Sequence, residues 1–145
     1  MSLGNGGGAA RQKLELRPAI GDGNCLFRAV SMQVYGDQDW HDRVRAECMD
    51  FIAKDRTHYR EFVSGDFAEY VSRKRANGCF GDNLEIQAMA ELYSRPVQVF
   101  EESTAATGQV IQIDPRGVIH AHSRNIFHSD LKDIPIRLFY RGMLL

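Results

Sequence analysis

Apolar residues recur at two different periods along this chain, and the change of period falls at Pro96. Before it the spacing is helical. Leu26, Ala29, Val30 and Gln33 share one face, which predicts a helix that begins near Asn24 or Cys25. It should stop at Tyr35-Gly36, where glycine suits a C-cap. A second helix is expected from Asp39 to Lys54, with Val44, Cys48, Phe51 and Ile52 as its stripe and Asp39 as its cap. Tyr59, Phe62, Val63, Phe67, Tyr70 and Val71 predict one or two short helices, interrupted at Ser64-Gly65-Asp66. Ala76 to Asp82 reads as a loop. Asn83 to Tyr93 then reads as a buried helix, with Leu84, Ala88 and Leu92 on one face and Met89 and Ala90 widening it.

After Pro96 the period becomes two. Val97, Val99 and Glu101 alternate with Gln98 and Phe100, as in a short strand. Val110 to Ile113 predicts a second strand, ended by the turn Asp114-Pro115-Arg116-Gly117. Val118 to His120 and Ile134 to Tyr140 are a third and a fourth candidate. Helices first and strands afterwards mean an α+β domain rather than an alternating doubly wound sheet. The chain contains no internal repeat.

Composition narrows the function classes. A chain of 145 residues is one ordinary domain with room for a real core. Its 43% hydrophobic and 26% charged residues are the balance of a globular protein. A net charge of -1 gives no reason to expect nucleic acid or an anionic membrane as partner, and a monomer is expected. The cationic cluster Arg73-Lys74-Arg75 reads as a solvated helix end. The three cysteines, Cys25, Cys48 and Cys79, are odd in number and form no CxxC pair, which disfavours a disulfide framework and favours cytosol or nucleus. No Cys/His cluster has zinc spacing, so no metal and no cofactor is expected. No apolar run is long enough to span a bilayer. Residues 1–12 are rich in glycine and read as a flexible leader, leaving 13–145 as the domain.

The chemically informative segment is Gly21-Asp22-Gly23-Asn24-Cys25-Leu26-Phe27-Arg28-Ala29. It sets a cysteine at the mouth of a helix, directly after a turn. Backbone N–H groups are unpaired there and the helix dipole favours an anion. A thiol so placed suits a nucleophile, and the same amides suit an oxyanion on an acyl carbon. The competing reading is a structural cysteine after a helix cap supplied by Asp22 or Asn24, since free cysteine is commonly buried. A redox-sensing thiol is a third reading.

The block Asp22 to Ala29 resembles the D-G-x-C-L-F-R-A signature of the OTU (ovarian tumour) cysteine deubiquitinases, nearly residue for residue. Further blocks are similar in order and spacing: Gly36 to Asp39, Tyr70 to Arg75, Gly81 to Tyr93, Arg95 to Val97 and Pro135 to Leu138. Within the family the resemblance is to the eukaryotic DUBA-like branch. It implies a papain-like OTU fold, a helical lobe packed on a small twisted sheet. It also implies ubiquitin or polyubiquitin as partner, and hydrolysis of isopeptide bonds at ubiquitin's C-terminus through a thioester acyl-enzyme. Carried onto this chain, Cys25 is the nucleophile and Asp22 supports the loop before it. The amides around Gly23, Asn24 and Cys25 form the oxyanion hole. The loop from Asn77 to Asn83 resembles the family's variable loop beside the substrate. Glu85 shapes the site and packs the core, or else is a helix-surface or capping carboxylate.

The general base is where the pattern departs. In the family a histidine follows the strand that resembles Pro135 to Tyr140, in an H-Y-[N/D] unit. Here only Arg141 to Leu145 follow, and no histidine comes after His128. One expectation is therefore a C-terminally shortened catalytic domain; the alternative is a non-catalytic ubiquitin-binding OTU-like domain. Within the chain, His128-Ser129-Asp130 has the His-x-acid spacing and makes His128 the candidate base. His120 and His122 have less support, and His41 and His58 are expected on helix surfaces.

Overall fold

A computed structural model of the chain describes residues 18–101, 110–115, 119–120 and 134–140. The leader and His128 lie outside these residues. Helix α1 runs Cys25–Tyr35 and stops at Gly36, whose φ of 80° is the left-handed conformation that glycine adopts freely. Its most buried residues are Phe27, Val30 and Ser31, so the face is rotated from the predicted one. Leu26, only partly buried, is turned toward the loop glycine Gly81 instead.

One turn of 3₁₀ helix, Gln38–Trp40, precedes helix α2, His41–Lys54. Asp37 caps this turn by accepting from the Asp39 amide at 2.8 Å, and α2 itself starts without a side-chain cap. Asp39 is therefore not the cap of α2: it lies inside the 3₁₀ turn that Asp37 caps, because an Asx turn closes over two residues. The buried face of α2 is Val44, Arg45, Cys48, Met49 and Ile52. Arg45 was not expected there.

The short helix α3, Arg56–Tyr59, leads through a 3₁₀ turn to α4, Phe67–Lys74, which is capped by Asp66 on the amides of Ala68 and Glu69. Helix α5, Asn83–Leu92, opens with a capping box of Asp82 and Glu85. Its buried face centres on Ile86, Met89 and Ala90, with Leu84 only partly buried, because α5 packs on α2 and the sheet together.

Four described strands form one sheet in the order β3-β2-β1-β4: β1 is Val97–Glu101, β2 Val110–Ile113, β3 Ile119–His120 and β4 Ile136–Tyr140. The first three are antiparallel neighbours, whereas β4 runs parallel to β1 with Val97 opposite Ile136. Val97, Val99, Ile136 and Leu138 turn into the core, as the alternation predicts. Gln33 of α1 grips β4 by its amide, donating to the Arg137 carbonyl at 2.7 Å and accepting from the Arg137 N–H at 2.7 Å. Arg95 ties the carbonyls of Gln33 and Ile134 together. One apolar core therefore spans the helices and the sheet, and α1 is seated on the sheet's β4 side.

Candidate active site

The site is built from two loops and the start of α1. Cys25 is the first residue of α1 and is half-buried. The segment before it is folded around Asp22, which accepts from the Asn24 N–H at 3.1 Å and from the Asn24 side-chain amide at 3.2 Å. Arg28, one turn into α1, returns to Asp22 with Nη2 at 2.7 Å and Nε at 3.2 Å. That guanidinium holds the Asp22 carboxyl well below the usual carboxylate range. Asp22 is thus an ionised post that fixes the turn.

The second loop, residues 76–82, lies against the first. Gly23 has φ of +83°, and a Cβ placed on it would sit 2.0 Å from the Gly78 carbonyl oxygen. Only glycine permits that approach. The Gly78 N–H donates to Asn24 Oδ1 at 2.9 Å, and Arg45 Nη2 donates to the same oxygen at 2.7 Å. Lys74 holds the far end of the loop, its ammonium donating to the Phe80 carbonyl at 2.8 Å. An open depression of about 570 Å³ lies beside this staple, lined by His41, Asp42, Arg45, Ala46, Arg75 and Asn77.

Glu85 lies beneath the loop and is fully buried. It accepts from the Asp82 N–H at 2.8 Å and from the Tyr70 hydroxyl, with the Lys74 ammonium 3.7 Å away. Burial pushes its carboxyl up from the ordinary 4.5. The capping reading of Glu85 is the one observed, inside the protein rather than on its surface. Lys74 is likewise not part of a solvated helix end: the buried carboxylate and the loop carbonyl draw it inward.

The sequence-derived residues fall as follows. Asp22, Gly23, Asn24 and Cys25 form one turn. The Asn24 amide is already committed to Asp22, so it is not a free donor, while the amides of Gly23, Cys25, Leu26 and Phe27 take no partner among the described residues. No hydrogen bond joins Cys25 to a histidine among the described residues. His128 and His122 lie outside them, and His120 is placed only by its backbone in β3. His58 is on α3, 3.8 Å from Glu91. His41 is half-buried at the start of α2, with a ring nitrogen buried and without a partner among the described residues, rather than freely on the surface. Among these residues no cluster of three or more His, Cys, Asp or Glu side chains is arranged to hold a metal. Sequence reasoning missed Arg45, Tyr70 and Lys74. For Arg45 a signal existed, a charge at position 45 inside the stripe that runs from Val44 through Cys48 to Ile52.

A helical lobe on a small mixed sheet, with a cysteine at the mouth of the helix seated on that sheet, defines a papain-like α+β cysteine protease fold. The chain belongs to the OTU-like cysteine protease family, whose model matches residues 20–144. It is 44% identical over 119 residues to human OTU domain-containing protein 5, covering 82% of this chain and 19% of that protein. Over 90 residues it is 47% identical to the OVARIAN TUMOR DOMAIN-containing deubiquitinating enzyme 6 of Arabidopsis thaliana, covering 62% of this chain and 18% of that protein. The chain thus spans about a fifth of the length of these curated relatives. In fold it matches an OTU deubiquitinase from Wolbachia pipientis wMel solved bound to ubiquitin, with a TM-score of 0.60, 22% identity, and 87% of this chain and 88% of that one covered.

Proposed function

We propose that this domain is a thiol-dependent ubiquitin hydrolase that cleaves isopeptide bonds at ubiquitin's C-terminus. The observation that carries this is Cys25 at the first position of α1, beside amides left open by a turn that Asp22 and Arg28 hold. In this reading the Cys25 sulfur attacks the carbonyl of ubiquitin's last residue, and the oxyanion accepts from the N–H groups of Gly23, Cys25 and the next residues of α1, which take no partner among the described residues. The carbon–nitrogen bond breaks, the lysine amine leaves with a proton, and water hydrolyses the thioester. Asp22 is a positioning residue, since its oxygens are occupied by Asn24 and Arg28. His128, with Asp130 two residues on, is the candidate base within this chain. The names of the plant relative and of the ubiquitin-bound Wolbachia protein support ubiquitin as the partner.

A second reading is ubiquitin binding without turnover, with Cys25 a structural thiol at the helix mouth. One experiment separates them: ubiquitin bearing a C-terminal thiol-reactive electrophile, read by intact mass, beside cleavage of a ubiquitin isopeptide. Hydrolysis assigns an adduct that is lost in Cys25→Ala and turnover that is lost in Cys25→Ala and His128→Ala. Binding of ubiquitin with neither adduct nor turnover would leave the second reading in possession.

A further inference from the structure

Asn24 occupies the N-cap position of α1, and asparagine is among the strongest capping residues. Here its side chain makes no capping bond. It is turned inward instead and is 3% exposed, with Oδ1 taken by Arg45 Nη2 at 2.7 Å and by the Gly78 N–H at 2.9 Å. Arg45 is itself 4% exposed, an uncommon place for a guanidinium. Its Nη1 donates to the Lys74 carbonyl at 2.7 Å, and the group lies over the Phe27 ring at 4.3 Å. One backbone carbonyl, an aromatic face and an amide oxygen fix its orientation.

The consequence lies at the helix mouth. A capping asparagine accepts with its side-chain oxygen from the N–H groups of the second or third helical residue, which in α1 are Leu26 and Phe27. Both amides, with that of Cys25, take no partner among the described residues. We infer that Arg45 is a positioning residue for the Cys25 site: by drawing the Asn24 side chain away from the helix, it keeps the first amides of α1 open to the developing oxyanion. This rests on the acyl-transfer reading above. Lysine cannot substitute, because one ammonium lacks the planar fork that reaches Lys74 and Asn24 together. With Arg45 shortened, only the Gly78 N–H and the Asp22 carboxylate still hold the Asn24 side chain, which is released toward its ordinary capping role over the Leu26 and Phe27 amides.

The test compares wild type, Arg45→Lys, Asn24→Ala and the double variant. The substrate is a ubiquitin C-terminal thioester, from which Cys25 forms a new sulfur–carbon bond while the carbon–sulfur bond to the leaving thiolate breaks. Arg45→Lys should slow this acyl transfer about tenfold or more, with half-saturation by ubiquitin unchanged. Alkylation of Cys25 by iodoacetamide, which forms no oxyanion, should stay within about twofold. The double variant should recover toward Asn24→Ala, because no side chain is left to cap. In parallel, hydrogen exchange at the Leu26 and Phe27 amides should slow in Arg45→Lys and return in the double variant. Equal slowing of thioester and iodoacetamide, or no recovery in the double variant, would reduce Arg45 to a packing role. Should Arg45→Lys fail to fold, strong protection of the Leu26 and Phe27 amides in wild type would overturn the inference, and weak protection would uphold it. A wild type inert toward the thioester sinks the hydrolase reading alone, since the exchange pattern still judges Arg45.

Discussion

Gly23 and Gly36 show how one residue type carries two different weights. Both have φ near +80°, which costs any other residue about 1 kcal/mol. Around Gly36 there is open space, whereas a Cβ on Gly23 would meet the Gly78 carbonyl oxygen at 2.0 Å. Gly36→Ala should therefore destabilise by about 1 kcal/mol and leave Cys25 reactivity alone. Gly23→Ala should cost roughly 3 kcal/mol, or part the two loops and suppress reaction with a ubiquitin electrophile. Urea unfolding of the two variants side by side checks the ranking, and equal costs would show that the loops are not in contact. The D-G-x-C block displays both residues that shape the turn. It does not display Gly78, whose distance along the chain hides that Gly23 exists to meet it.

Between elements, the junction of α4 and α5 is held by Glu85. The carboxylate closes the capping box of α5, accepts from Tyr70 of α4 and faces Lys74. Its folded-state proton affinity is raised above the ordinary value of 4.5, so the folded chain binds that proton more tightly than the unfolded chain. This contribution to stability is fully present below 4.5 and is lost as pH rises through the raised value. Glu85→Gln keeps an acceptor and cannot ionise. Its stability relative to wild type should rise as pH climbs from acid to neutral, as read by urea midpoints; a difference independent of pH would contradict the shift. Glu85→Ala strands the Tyr70 hydroxyl and the Asp82 N–H and removes the carboxylate beside Lys74, and should cost about 2–4 kcal/mol. Asp82 followed three residues later by Glu85 was a legible capping signature. That α4 would roof it over was not, because helix periodicity states which face is apolar and not which neighbour covers it.

For the whole molecule, the decisive contact is Gln33 on β4. Its side chain exchanges two hydrogen bonds with the Arg137 backbone, as a neighbouring strand would. Gln33→Ala should lower stability by about 1–2 kcal/mol and speed hydrogen exchange of the Arg137 amide more than that of amides in β2. Unchanged exchange at Arg137 would mean that the sheet, not α1, holds β4 in place. This clamp bears on the proposed chemistry because α1 carries Cys25 at its other end.

What the amino-acid sequence determined by itself was local. Period, caps and turn residues set the elements and their order, and the block around Cys25 set the family. Backbone propensity and short-range hydrogen bonding act within a few residues, and those are visible in one dimension. The tertiary structure decided what depends on residues far apart. It paired β4 in parallel with β1 across the segment between them, buried Arg45 and Glu85, and committed the Asn24 amide to Asp22 while turning its side chain toward Gly78. A charged side chain reads as surface until a partner answers it, and for Arg45 and Glu85 those partners lie on other elements, so only the folded chain could place them at the site.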